Sequence, residues 1–173
     1  DMIELVCQNF DDVILLYNGA NTLELGFVEE YQQIKSVLWF HGAGQNGCNG
    51  LGRIIAGTVN PSGKTSDTFV YDLTSNPSHK NIGDFTYTNM DEFQAKSEEG
   101  DVLTPTFVNY TEGIYVCYRF YETAAAEGLI AYDEVVQYPL GHGLSNTSFT
   151  LEMGDLKNEG GNIRIDVPVT NDV

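Results

Sequence analysis

Val13-Ile14-Leu15-Leu16-Tyr17 and Ser36-Val37-Leu38-Trp39-Phe40 are short runs made almost wholly of apolar and aromatic residues. Each has the length of one strand, and continuous apolarity suits a buried parallel strand with both faces covered. Between them lie a polar turn, Asn18-Gly19-Ala20-Asn21, and a stretch around Phe27 to Ile34 that reads as a short helix. After the second run the chain turns through His41-Gly42-Ala43-Gly44-Gln45-Asn46-Gly47 into a further helix ending near Ala56-Gly57. Strand, helix, strand, helix with connections this short predicts an α/β unit around a parallel sheet. Loops that follow strand C-termini are where open α/β sheets usually place ligands. The loops at 18–21 and 41–47 are therefore the candidate site.

Outward from this unit the texture changes. Ile3, Val6, Cys7 and Phe10 fall at helical spacing before it. After it, Asn60-Pro-Ser-Gly-Lys64 forms a turn cluster and Thr65 to Tyr71 reads as a strand. Residues 74–105 are polar and poor in aliphatics, with 96–101 as a candidate mobile loop. Tyr110 to Tyr121 is dense in aromatic and β-branched residues, which predicts strand or extended structure. Phe149 to Met153 and Ile163 to Val169 alternate apolar with polar, joined by a polar Gly-rich link at 157–162. Alternation predicts strands with one buried face, as in an antiparallel sandwich. The fold class expected is therefore α/β, a three-layer sandwich with a mostly parallel sheet, followed by the first strands of a β-sandwich. The domain boundary is expected at 145/146, giving 1–145 and 146–173.

Composition narrows the function. The 173 residues are 42% hydrophobic and 12% aromatic, enough for a core, and only 19% charged. Twenty-five Asp and Glu against eight Lys and Arg give a formal net charge of −17. Such a surface repels phosphate backbones and anionic lipid, so neither nucleic acid nor membrane is an expected partner. Cys7, Cys48 and Cys117 are odd in number and form no CxxC pair or Cys/His cluster. Three free, mostly buried thiols are expected, with no metal site and no cofactor. Cytoplasm is the favoured location and secretion the alternative. The sequons at Asn109 and Asn146 matter only on a eukaryotic secretory route.

Glycosidic cleavage calls for two carboxylates facing one bond. With 25 acidic residues, sequence alone selects no pair. Glu24, Glu112 and Glu122 are better explained as solvated or paired carboxylates. His41, His79 and His142 are better explained as hydrogen-bonded structural histidines, and Gly141-His-Gly-Leu-Ser145 is not a nucleophile elbow. Gly42-Ala-Gly-Gln-Asn-Gly47 satisfies GxGxxG and opens a helix, which makes a flavodoxin-like nucleotide binder a minor alternative. No acidic residue ends a strand about 20 residues further on, where ribose is normally held.

Four segments, in order, resemble glycoside hydrolase family 3. Trp39 through Gly57 looks like its helix entry and glycine-terminated ending. Val59-Asn-Pro-Ser-Gly-Lys-Thr65 is similar to its NPSG(R/K) turn, and Glu112-Gly-Ile-Tyr-Val-Cys-Tyr-Arg-Phe-Tyr121 to its EGIYVGYRYY segment. Tyr138-Pro-Leu-Gly-His-Gly-Leu-Ser-Asn-Thr-Ser-Phe149 is similar to (F/Y)P(F/L)GHGLSYTTF. Cys117 stands where the family usually has Gly, Asn146 where it has Tyr, and Gln45 at a position often held by Glu. The resemblance implies a β-glucosidase with a (β/α)8 barrel, an α/β sandwich and a fibronectin type III-like domain. It implies a nucleophilic Asp on the barrel and an acid/base Glu just upstream of the strand at 13–17. No catalytic residue is thus expected in this chain, which is read as an inactive fragment of a retaining enzyme and as one wall of its cleft. Asn21, His41 and Gln45 are the candidate substrate-binding residues. A β-glucoside and the missing barrel are the implied partners. The alternative is a non-catalytic sugar-binding or interaction module, which needs exposed aromatics among Trp39 and Tyr110–Tyr121.

Overall fold

A computed structural model describes residues 1–81, 85–92, 95–103 and 106–172. The first unit comprises Asp1–Gly42 with Thr65–His142, and the second Ala43–Lys64 with Gly143–Val173.

The first unit opens with helix α1, Met2–Asn9, capped by the Asp1 carboxylate, which accepts from the Ile3 amide at 3.1 Å. An N-cap of this kind satisfies one of the four unbonded amides at a helix start. Cys7 is its buried residue. Strand β1 (Val13–Asn18) pairs in parallel with β2 (Ile34–Phe40), matching the expected strands. Burial along β1 alternates, with Val13, Leu15 and Tyr17 inward and Ile14 and Leu16 48% and 42% exposed. The expectation that both faces are covered is therefore corrected for β1: its uninterrupted apolarity does not report how many faces this unit buries. The expected helix at 27–34 is a single 3-10 stretch, Gly26–Glu30. Tyr31 turns extended there and the Ile34 amide bonds the Tyr31 carbonyl at 3.0 Å, directing the chain into β2.

The core of this unit forms around β3 (Phe69–Val70), which pairs antiparallel with β6 (Val136–Tyr138). Val70, Tyr121 and Val136 are buried together, with Leu73, Phe120, Ile130, Tyr132 and Val135 packed on them. The strand expected over 65–71 shrinks to two residues. Thr65 instead bonds the 139–142 turn: its amide donates to the His142 carbonyl and its hydroxyl to the Pro139 carbonyl, both at 2.7 Å. The 74–105 region includes 82–84, 93–94 and 104–105, which lie outside the described residues. Within it, β4 (Ala95–Lys96) and β5 (Val102–Leu103) pair antiparallel, so 97–101 is a hairpin turn closed by the Gly100 amide on the Ser97 carbonyl at 3.0 Å.

The strand expected at 110–121 is turn and irregular chain as far as Cys117 and helix in its last four residues: α3 spans Tyr118–Ala126, and α4 spans Tyr132–Val135. Aromatic β-propensity reflects packing on a pleated surface rather than backbone preference. Here Tyr121 and Ala124, three apart, bury one helical face. The Gly128 amide returns to the Ala125 carbonyl and the Leu129 amide to Ala124, with Gly128 at φ +70°. This is the Schellman ending that glycine permits.

In the second unit, α2 (Gly47–Ile55) ends the same way at Gly57, as expected. Beyond it the tail holds β7 (Phe149–Leu151) paired antiparallel with β10 (Val169–Asn171). The expected link at 157–162 is a hairpin of β8 (Leu156–Glu159) and β9 (Asn162–Ile165). Gly160 and Gly161, at φ +61° and +90°, form the two-residue turn whose twist suits paired strands. Every residue of these four strands is exposed, so the buried face predicted from alternation is not present. Two-stranded ribbons have no second layer to bury it against. No described helix is long and apolar enough to cross a membrane.

Candidate functional site

The parallel register sets Tyr17 beside Trp39 at the C-terminal end of β1 and β2. Both side chains reach forward into the loop that follows β1. The Tyr17 hydroxyl donates to the Asn21 carbonyl at 2.8 Å, and the Trp39 indole N–H donates to the Gly19 carbonyl at 2.8 Å. The Gly19 amide donates to the Phe40 carbonyl at 3.3 Å. A Cβ at Gly19 would stand 2.6 Å from the Tyr17 ring carbon Cζ, so with any other residue the ring or the loop would have to shift. The Trp39 ring meets the His41 ring at 4.6 Å, tilted 58°, and meets the edge of buried Phe69 at 4.8 Å. Asn21 and His41 are both exposed. Two of the three predicted residues are thus tied to one aromatic anchor and exposed. Gln45 lies in the second unit, exposed in the turn that the Gly47 amide closes on the Ala43 carbonyl at 2.9 Å.

The carboxylates singled out in the sequence serve structure. Glu24 accepts from the Leu73 amide at 2.7 Å, and Glu122 from the Tyr132 hydroxyl at 2.8 Å. Glu112 accepts from the Ser78 hydroxyl at 2.9 Å and the Asn81 amide at 2.6 Å. Its own backbone amide first, and then Ser78, hold its carboxyl below the ordinary range. The His142 ring lies 4.8 Å from that of Tyr138, and its amide bonds the Thr65 hydroxyl at 2.9 Å. Among the described residues no group of three or more His, Cys, Asp or Glu could hold a metal. Of the three free thiols only Cys7 is buried; Cys48 is exposed and Cys117 half-buried, correcting the expectation of mostly buried cysteines.

A cluster that sequence reasoning missed joins three distant segments. Glu29 accepts from the Tyr71 hydroxyl at 2.9 Å and from the Gln137 amide at 2.8 Å, and Gln137 also reaches the Leu25 carbonyl at 3.1 Å. The bond to Glu29, followed by burial, raises the Tyr71 phenol above its usual value.

Residues 1–118 match the Glycosyl hydrolase family 3 C-terminal domain. The chain belongs to glycosyl hydrolase family 3. It is 36% identical over 151 residues to β-glucosidase A of Butyrivibrio fibrisolvens, covering 87% of this chain and 15% of that protein. A β-glucosidase of Ruminococcus albus is 31% identical over 160 residues, covering 92% and 14%. A solved β-glucosidase from Paenibacillus barengoltzii superposes with a TM-score of 0.69 at 26% identity, covering 97% of this chain and 16% of that one. The chain therefore spans about 15% of the length of the relatives it matches.

Family membership and geometry together explain two of the segments on which the resemblance rests. In the second unit, the Asn60 side-chain amide donates to the Ser145 hydroxyl at 2.9 Å and its oxygen accepts from the Asn146 amide at 3.1 Å. The Lys64 ammonium bonds the Gly143 carbonyl. A Cβ on Gly143 would be driven into the Gly63 carbonyl oxygen and would stand 2.9 Å from Lys64 Cδ. The NPSGK and GHGLS segments of this family 3 chain are thus two sides of one close backbone contact. Cys117 has φ +52° and ψ −135°. It is the one non-glycine residue with positive φ among the described residues, and its thiol bonds Asp67.

Proposed function

We propose that this chain is part of a retaining β-glucosidase that removes terminal β-D-glucosyl residues. Its α/β portion, to about residue 145, belongs to a three-layer sandwich whose mostly parallel sheet includes β1 and β2. Residues 146–173 begin a fibronectin type III-like domain. The observation that carries the reading is the pinned loop at the C-terminal end of β1, beside the end of β2, in a chain whose relatives are named β-glucosidases. Asn21 and His41 line the aglycone side of the cleft, and Gln45 is a separate candidate substrate contact. The nucleophilic Asp and the acid/base Glu come from the rest of the enzyme, the barrel included. The Asp attacks the anomeric carbon; the Glu protonates the leaving oxygen and then activates water. The chain by itself hydrolyses nothing. A sugar-binding module is not favoured: Tyr110, Tyr115 and Tyr118 are exposed, but Trp39 is wedged between Phe69 and His41 and Tyr121 is buried.

The test is made in the full-length enzyme with an aryl β-glucoside. Asn21→Ala, His41→Ala and Gln45→Ala each raise KM about three- to tenfold with kcat nearly unchanged, as loss of one substrate contact does. Unchanged KM in all three refutes the cleft-wall reading. Any turnover by the isolated chain refutes the assignment of both carboxylates elsewhere.

A further inference from the structure

We propose that Tyr17 and Trp39 are positioning residues for substrate binding. They fix the loop that presents Asn21 and the ring of His41 while touching no substrate themselves. The inference rests on the cleft-wall reading above. Its basis is a geometry that core packing does not require. Neighbouring strands contribute one aromatic donor each, at register-paired positions, and the two donors end on carbonyls only two residues apart in one loop. The segment from β1 to the 3-10 stretch, residues 19–25, is buried only at Leu25, so its exposed tip at Ala20 and Asn21 has little burial to hold it. Two side-chain hydrogen bonds from a strand pair supply the missing order, and bound geometry held in advance lowers the entropy lost on binding.

The arrangement also explains why the phenol and the indole are both needed. The Tyr17 ring closes against Gly19, where a Cβ would collide with it, so the loop is held by contact as well as by the hydroxyl. Trp39 touches buried Phe69 and exposed His41 alike, so it transmits the rigidity of the β3–β6 core to His41. Phe at position 17 keeps the ring and loses the donor, which isolates the hydrogen bond from packing, whereas Phe at position 39 removes the donor together with part of the ring that meets Phe69 and His41.

The experiment measures steady-state kinetics of the full-length enzyme on an aryl β-glucoside, for Tyr17→Phe, Trp39→Phe, Asn21→Ala, His41→Ala and the double variant Tyr17→Phe/Asn21→Ala. Tyr71→Phe, which removes a hydrogen-bonded phenol hydroxyl of the same kind elsewhere, is the control. Tyr17→Phe and Trp39→Phe are expected to raise KM about three- to tenfold with kcat within twofold, and Tyr71→Phe to leave KM unchanged. In the double variant Tyr17→Phe adds nothing to Asn21→Ala, because both act through one loop. A purely structural role would instead lower the active fraction, and so kcat, without moving KM. If Asn21→Ala raises KM while Tyr17→Phe and Trp39→Phe do not, the positioning role is refuted and the cleft-wall reading stands. If Asn21→Ala and His41→Ala both leave KM unchanged, the inference fails, and if Gln45→Ala does so too, the cleft-wall reading fails with it.

Discussion

Replacing Gly143 by Ala tests the contact between the two glycine-rich segments. The added methyl has no room: it meets the Gly63 carbonyl oxygen and lies 2.9 Å from Lys64 Cδ, and the first of these is backbone. One segment must retreat by roughly 1 Å to restore van der Waals separation, a kind of overpacking that costs about 1–3 kcal/mol. That retreat also stretches Asn60 Nδ2 to Ser145 Oγ, now 2.9 Å, and Asn146 N to Asn60 Oδ1, now 3.1 Å, beyond useful bonding. These bonds are exposed, so they add only about 1 kcal/mol together. The expected loss is about 2–4 kcal/mol, which lowers the urea midpoint by about 1–2 M at the slopes usual for small proteins. Amide exchange at Asn146 should accelerate in parallel. Gly63→Ala is the control: no heavy atom lies within 4 Å of its Cβ and its φ is not positive. Its effect should stay within about 0.5 kcal/mol. A Gly143→Ala midpoint equal to that of the parent chain would refute the reasoning, as would an equal loss from Gly63→Ala.

Burial, then the bond to Glu122, pushes the Tyr132 phenol up to about 12, so the folded state favours its protonated form. The stability this gives is present below pH 10 and is lost as pH rises toward 12; Tyr132→Phe should flatten that limb of the denaturation profile. Glu112 is shifted the other way: its contribution is present above the ordinary carboxylate range and is lost as pH falls below it. Glu112→Gln should therefore remove part of the acid dependence of unfolding, and an unchanged profile would show that Ser78 and Asn81 do not sense its charge. At Cys117, Ala keeps the unfavourable backbone and loses the thiol bond to Asp67, whereas Gly relieves a strain of about 1–3 kcal/mol against an entropy cost of about 0.5–1. Cys117→Gly should therefore unfold at higher urea than Cys117→Ala, the reverse of the usual order.

The parallel pair was legible because Val13–Tyr17 and Ser36–Phe40 carry their signal within five residues each. The end of α2 was legible because Ala56-Gly57 is a local stop. The same stop at Glu127-Gly128 was available for α3, but the aromatic density of 110–121 outweighed it, and β-propensity is a statement about neighbours not yet known. Burial in the tail was misjudged for a similar reason: alternation along Ile163–Val169 says which face is apolar, not that anything covers it. At the site, the loops carrying Asn21 and His41 followed from topology alone. Their anchoring did not, because the partnership of Tyr17 with Trp39 exists only once the register is fixed. Glu29, Tyr71 and Gln137 come from a 3-10 turn, the residue after β3, and β6, so no spacing in the sequence could announce them.

The pairing of β3 with β6 has a consequence for how the chain is made. Val70 and Val136 face each other across the ladder, yet 66 residues separate them. At synthesis rates of about 5–20 residues per second, roughly 3–13 s pass between the emergence of one strand and the arrival of its mate. During that interval Phe69 and Val70, later buried, have no native cover from β6, while the β1–β2 pair upstream is already complete. Nascent chains of this protein should therefore call on a chaperone most strongly while residues 70–136 are being translated. Synonymous codons that slow this stretch would lengthen the exposure and lower the soluble yield without altering a single amino acid.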